Sequence, residues 1–330
     1  MKKIESPADL LEIAVGFQKS QTLFTLVELE IPKLLQKERL NSANISRRLK
    51  IHPLAMARFL NACVSIGLLQ KIGDMFANTK MTEKFLVTAD EFYLGGQMRR
   101  YQKRSAPQWE NLTEHLKNWK YGVAEAPPDD EDQGTEAMAE QHNLALLHGF
   151  ALAEAFDFSG FSKLLDLGGG SGASSIALCK NNPNLSSIVF DLPENAEIAN
   201  DFIEKSNLKN RIETVGGDFK KDSLPENFDA VLLANFMAVT DADENKKLLK
   251  KLYEKLPVGG VCILSGWIID NSHLAPQISV LFCLEDVCWN APDVERDERV
   301  YSEWLREAGF REIQCKTYLE PTKMLYGFKN

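Results

Sequence analysis

The sequence is poor in residues that carry metal or nucleophilic chemistry. It holds five histidines and six cysteines in 330 residues. Cys63, Cys179, Cys262, Cys283, Cys288 and Cys315 are scattered, no CxxC pair occurs, and only Cys283 and Cys288 lie close together. The histidines show no ligand spacing either, so no metal is expected. The thiols are expected to be reduced core groups of a cytoplasmic protein. No apolar run approaches the ~20 residues of a membrane span. The opening MKKIESPADLLEIAV lacks the apolar core and the small-residue cleavage site of a signal peptide. GxxxxGK[ST] is also missing, which excludes a P-loop.

What is present is ordinary for a globular chain, with 44% apolar and 26% charged residues. The length suggests two domains. Charge divides the same way. Residues 1–120 carry 19 Lys and Arg against 12 Asp and Glu, and residues 121–330 carry 19 against 35. Two domains, 1–120 and 121–330, are therefore expected. The basic part raises nucleic acid as a partner.

In the first part, Leu10, Ile13, Val15, Phe17, Phe24, Val27 and Leu29 predict an apolar helix pair broken near Pro32. Ser42 and Pro53 are helix-start residues, and a hairpin is expected around Gly73-Asp74. Helix, turn, helix and hairpin make a winged-helix pattern. The second helix would read a DNA groove, and base edges require Arg, Lys, Asn or Gln. Its sequence, LAMARFLNACVSIGL, has one Arg and is mostly apolar or small. It is expected to be buried, and nucleic acid is disfavoured. Arg99, Arg100 and Arg104 in RRYQKR form a solvated face, or else meet an anionic ligand or a partner subunit. The acidic stretch EAPPDDEDQGTE (125–136) suggests a surface linker.

The second part is more informative. In KLLDLGGGSGASSIAL, the strand Leu164 to Leu167 runs into Gly168-Gly169-Gly170-Ser171-Gly172, and a helix starts near Ala173. Glycines there let a ligand approach the backbone and the free N–H groups of a helix start. The next strand, SSIVFDLP, ends at Asp191, placed to accept from both hydroxyls of a ribose. A third strand leads to GGDF, where Asp218 and Phe219 can hold an adenine. FDAVLLANF and VCILSGWII are the fourth and fifth strands, separated by the helix Glu244 to Leu256. Such alternation predicts an α/β fold, a Rossmann-like doubly wound parallel sheet. Asp166 disfavours a pyrophosphate and suits a cationic ligand. S-adenosyl-L-methionine fits, with adenine, ribose and a zwitterionic tail. The plain alternative is a Rossmann-like domain that binds nothing, and three agreeing elements speak against it.

LLDLGGGSG, FDLP, GGDF, LPVGG and YSEWLREAGF resemble the class I S-adenosylmethionine-dependent methyltransferases of the O-methyltransferase family. The resemblance covers nearly the whole chain. It implies an N-terminal, mainly helical winged-helix dimerisation domain and a homodimer in which that domain helps close the partner's active site. It implies cofactor contacts at Gly168, Gly170, Asp191, Asp218 and Phe219, joined by Asn235 and by Asp166.

Members of this family that methylate oxygen carry Lys-Trp after the fourth strand and then a catalytic His-Asp-Trp. In gap-free register, Ala234-Asn235 and Ala238-Val239-Thr240 stand at those places. A Glu flanking the His falls on Gly266, whereas a second flanking Glu is retained as Glu298. Trp289, Asn290 and Asp293 match substrate-pocket positions, as does Asp286, and Ala238 faces the same pocket by this register.

Loss of the base narrows the reaction. A phenol or alcohol must lose a proton as it attacks, and removing a general base costs about 10²–10⁴-fold. A thioether sulfur or an electron-rich carbon attacks without prior deprotonation. The expected function is methyl transfer to such an atom of a small molecule. An O- or N-methyltransferase with a base relocated to His148, His142 or Glu298 is one alternative, with Tyr301 a further candidate. A cofactor-binding enzyme of decarboxylase, hydroxylase or cyclase type is another, and a non-enzymatic DNA- or ligand-binding regulator is the third. Trp267 and Trp289 with the acidic residues suggest a small, partly polar or cationic acceptor; the arginines suggest a carboxylate instead.

Overall fold

A computed structural model describes residues 4–88, 91–120, 135–291 and 296–330. Asp293 and nearly all of the acidic stretch 125–136 lie outside them. The chain divides into two compact units, Met1–Pro107 and Gln108–Asn330.

In the first unit, Ser6 and Asp9 form a reciprocal capping box at the start of the helix Pro7–Ala14. Helices Gly16–Glu28 and Ile31–Lys37 follow. Pro32 opens a helix rather than breaking one, because a proline in the first turn has no intrahelical bond to lose. Helices Ser42–Leu49 and Pro53–Ser65 are followed by a hairpin of β2 (Leu69–Ile72) and β3 (Met75–Asn78), as expected. The short strand β1 (Leu40–Asn41) pairs with β3. Asn41, not Ser42, caps the first of these helices, accepting from Asn44 N at 2.9 Å. Met56, Leu60 and Cys63 commit one face of the second helix to the unit's own core. Leu10, Leu11, Ile13 and Phe17 stay exposed.

The second unit is built on a seven-stranded sheet in the order β6-β5-β4-β7-β8-β10-β9. The strands are β4 (Lys163–Leu167), β5 (Ser186–Asp191), β6 (Ile212–Gly216), β7 (Ala230–Ala234), β8 (Val261–Gly266), β9 (Arg311–Leu319) and β10 (Thr322–Phe328). The first five are parallel, as expected of a doubly wound sheet. The last two form an antiparallel hairpin on β8, which the strand–helix alternation did not announce. Successive residues take opposite faces. Leu165, Leu233 and Leu264 join one core, while Leu164, Leu232 and Ile263 join the other. Burial on both faces explains the unbroken apolar runs.

The units meet between Pro107 and Gln108, not at 120. The helix Leu112–Asn118 belongs to the second unit, where Lys120 N donates to Asn290 Oδ1 at 3.2 Å.

Candidate active site

Strand order reverses between β4 and β7, and open α/β sheets bind ligands outside the carboxyl ends of their strands at such a point. Register brings the expected residues there. Gly168 follows β4, Asp191 ends β5 opposite Gly216, Asp218 and Phe219 follow β6, and Asn235 follows β7.

The turn after β4 uses left-handed backbone at Gly168, Gly170 and Gly172. A Cβ on Gly168 would stand 2.3 Å from the Phe236 ring, whereas one on Gly170 would meet nothing within 4 Å. Gly170 N donates to Asp191 Oδ2 at 2.8 Å, and Leu192 N and Asn195 Nδ2 both donate to Oδ1 at 2.8 Å. Three donors fix the carboxylate and leave it capacity for a further hydrogen bond. Phe219 is partly buried and meets Phe236 edge-on, with centroids 5.2 Å apart. Asp218 accepts from Lys220 N and pairs with Lys221 at 2.8 Å, and the Lys221 bond holds its carboxyl below the usual range.

Asp166 lies elsewhere than a direct ligand contact requires. It is fully buried beneath the turn, where Ser175 Oγ donates to Oδ2 at 2.6 Å. Burial pushes its carboxyl up to about 6, against the lowering effect of Ser175. It supports the turn from below instead of facing a cationic tail.

The loop after β7 is held by Asn245, whose Nδ2 donates to Met237 O at 2.8 Å. Ala238 is half-buried on that loop and offers only a methyl group. Asn235 occupies the space vacated at Gly266, with Oδ1 3.1 Å from where a Cβ would stand there. Lys323 faces Gly266 across the β8–β10 pair and lies 2.5 Å from Glu298. Lys323 itself is buried. Sequence reasoning passed over Lys323, because only the antiparallel hairpin brings it to this end of the sheet.

The two candidate histidines sit on the helix Thr135–Ala155. His142 Nδ1 is 2.8 Å from Ser171 Oγ. Burial pushes His148 down to about 4, so it is neutral near pH 7. On the helix Gln277–Cys288, Asp286 pairs with Arg296 at 2.7 Å, and burial outweighs Arg296 to push its carboxyl up to about 6. Trp289 Nε1 lies 3.5 Å from Glu285, and Asn290 serves Lys120. Trp267, just beyond β8, meets Phe282 of that helix edge-on at 4.4 Å. Burial pushes the Tyr301 hydroxyl far up, so it stays protonated. Arg99, Arg100 and Arg104 belong to the first unit, where Arg99 donates to Tyr93 Oη at 3.0 Å. Among the described residues no group of three His, Cys, Asp or Glu is placed to hold a metal.

Residues 106–311 match the O-methyltransferase domain, and residues 11–88 match the O-methyltransferase dimerisation domain. The chain belongs to the O-methyltransferase family. It is 29% identical to the 3-hydroxy-5-methyl-1-naphthoate 3-O-methyltransferase of Streptomyces sahachiroi, over 96% of this chain and 92% of that protein. It is 34% identical to the L-tyrosine C(3)-methyltransferase of Streptomyces lavendulae, over 48% of this chain and 44% of that one. Human N-acetylserotonin methyltransferase, solved with S-adenosylmethionine, superposes with a TM-score of 0.86 at 25% identity, covering all of both chains. This chain is a methyltransferase, and its cofactor is S-adenosylmethionine. The residues fit that cofactor. Gly170 leaves open space beside the turn, Asp191 retains acceptor capacity for a ribose, and the turn carries no lysine or arginine for a pyrophosphate.

Proposed function

We propose that this enzyme methylates a small molecule at carbon or at a thioether sulfur. When bound, S-adenosylmethionine supplies an electrophilic methyl group on a sulfonium. Gly168 and Gly170 would admit it, Asp191 would orient the ribose, and Asp218, Phe219 and Asn235 would border the rest. Phe236, Trp267 and Phe282 would exclude water from the acceptor, and positioning with dehydration would suffice for an acceptor already nucleophilic.

The observation that carries this reading is the state of the groups that could serve as a base. The base position is a methyl group, the Gly266 space holds an amide, and Glu298 is neutralised by Lys323. His142 is engaged by Ser171. Asp286, Trp289 and Asn290 would shape the acceptor side. A second reading, O-methylation through a relocated base, is favoured by the similarity to the 3-O-methyltransferase of Streptomyces sahachiroi. His148 is a candidate base: burial keeps it neutral near pH 7 but also makes it a weak proton acceptor.

The exposed Leu10, Leu11, Ile13 and Phe17, in a segment overlapping the dimerisation domain, support a homodimer through the first unit. Six free thiols fit the reducing cytoplasm.

The test is product analysis with carbon-13 methyl-labelled cofactor against phenol, enol and thioether acceptors. Label on carbon or sulfur, unchanged in His148→Ala, supports the proposal. Label on oxygen, lost in His148→Ala, overturns it.

A further inference from the structure

His142 joins two elements that the cofactor site needs. Its Nδ1 lies 2.8 Å from Ser171 Oγ in the glycine turn. Its ring stacks on Phe202, with centroids 4.1 Å apart and planes 18° from parallel. Phe202 belongs to the helix Pro193–Lys205, which also carries Asn195. These two residues are seven apart, so they share one helix stripe. Asn195 holds Asp191, and Asp191 holds Gly170 N, one residue from Ser171. The contacts therefore close a ring: His142, Ser171, Gly170, Asp191, Asn195, the helix stripe, Phe202 and back to His142.

A second contact fixes the register of the helix that bears His142. Gly149 is also seven residues on, and a Cβ there would stand 2.7 Å from Ala177 Cβ. Ala177 lies on Ala173–Asn181, the helix that begins at the glycine turn. Close packing at Gly149 and the hydrogen bond at His142 hold the turn from one side at two points.

We infer that His142 is a positioning residue for the cofactor, setting the glycine turn and Asp191 at the separation that S-adenosylmethionine requires. It holds the turn through Ser171 and the Asp191 side through Phe202. This role is independent of which acceptor atom is methylated.

The test is calorimetric binding of S-adenosylhomocysteine to the full chain, with thermal unfolding of each apo variant alongside. His142→Ala weakens binding about tenfold, the size of one hydrogen bond with its stacking contact. Ser171→Ala removes the hydrogen bond but keeps the Phe202 stack, so it weakens binding by a few-fold only, and the double variant binds no more weakly than His142→Ala alone, since the Ser171 bond is already gone there. His142→Gln, which can still reach Ser171, recovers part of the affinity. If His142→Ala unfolds, His142→Gln and Ser171→Ala carry the comparison. Wild-type affinity in His142→Ala overturns the inference, as do fully additive losses in the double variant. Lost turnover with unchanged binding also overturns it, and marks His142 as a base instead.

Discussion

Lys323 and Gly266 face each other across the β8–β10 pair, and the Lys323 ammonium lies 2.5 Å from the Glu298 carboxylate. A strand partner thus neutralises the one flanking carboxylate this chain retains. Lys323→Met leaves Glu298 charged beside an apolar side chain, and unpairing a mostly buried ion pair is costly even after screening is discounted. The expected loss is about 2 kcal/mol in urea unfolding, and adding Glu298→Gln restores most of it. Equal stability of the single variant and wild type would sink the idea that this pair is coupled.

Much of the cofactor side was legible because its signals are local. The glycine turn, Asp191 and the GGDF stretch each sit within a few residues of a strand end, and strand periodicity places them on one edge. The loop that carries Ala238 was placed for the same reason, since it follows β7 directly. The links between these pieces were not. Lys323 and Glu298 are 25 residues apart, and His142 and Ser171 are 29 apart. Only sheet register and helix packing bring them together. Asp166 misled because charge in the sequence says nothing about depth: one residue's alternation along β4 turns its side chain under the loop.

Stability should depend on pH through buried groups shifted in opposite directions. Burial raises Asp166 from 3.8 to about 6, so its contribution is most favourable below pH 4 and declines as pH rises to 6. Burial lowers His148 from 6.5 to about 4, so its contribution is most favourable above 6.5 and declines as pH falls to 4. Each is worth about 3 kcal/mol across its window. The contribution of Asp286, also raised to about 6 by burial, declines over the same range as that of Asp166. Relative to wild type, His148→Gln should therefore lose more stability as pH rises from 4 to 6, and Asp166→Asn should lose less. Unfolding curves at pH 4.5 and 6.5 decide this, and identical pH slopes in both variants and wild type would refute it.

Asp191 is held by three donors, at Gly170, Leu192 and Asn195. In Asp191→Asn the amide oxygen satisfies one side only, and the amide N–H₂ turns a donor against donors. With the amide oxygen at the Oδ1 side, the Gly170 N bond and the further hydrogen bond offered to a ribose are lost, and two bonds at about 1–1.5 kcal/mol each predict roughly 100-fold weaker S-adenosylhomocysteine binding. Asn195→Ala removes one charge-assisted bond and should cost about tenfold. Calorimetry that finds both variants within twofold of wild type would show that Asp191 does not border the cofactor.

Gly168 tests whether the turn and the loop after β7 form one site. Its φ of +70° disfavours any side chain, and a Cβ there would stand 2.3 Å from Phe236 Cδ2. Left-handed backbone costs a non-glycine residue about 1 kcal/mol, and forcing a packed ring aside costs about 1–3 kcal/mol more. Gly168→Ala is expected to lose about 3 kcal/mol in all. Phe236 also meets Phe219 at 5.2 Å, so a displaced ring pushes on the proposed adenine border. Binding of S-adenosylhomocysteine should fall together with stability. Adding Phe236→Ala removes the collision but not the backbone strain, so about 1 kcal/mol of the loss specific to the glycine change should persist when Gly168→Ala/Phe236→Ala is compared with Phe236→Ala alone. If that comparison returns the full 3 kcal/mol, the ring does not set the cost, and the two loops are independent.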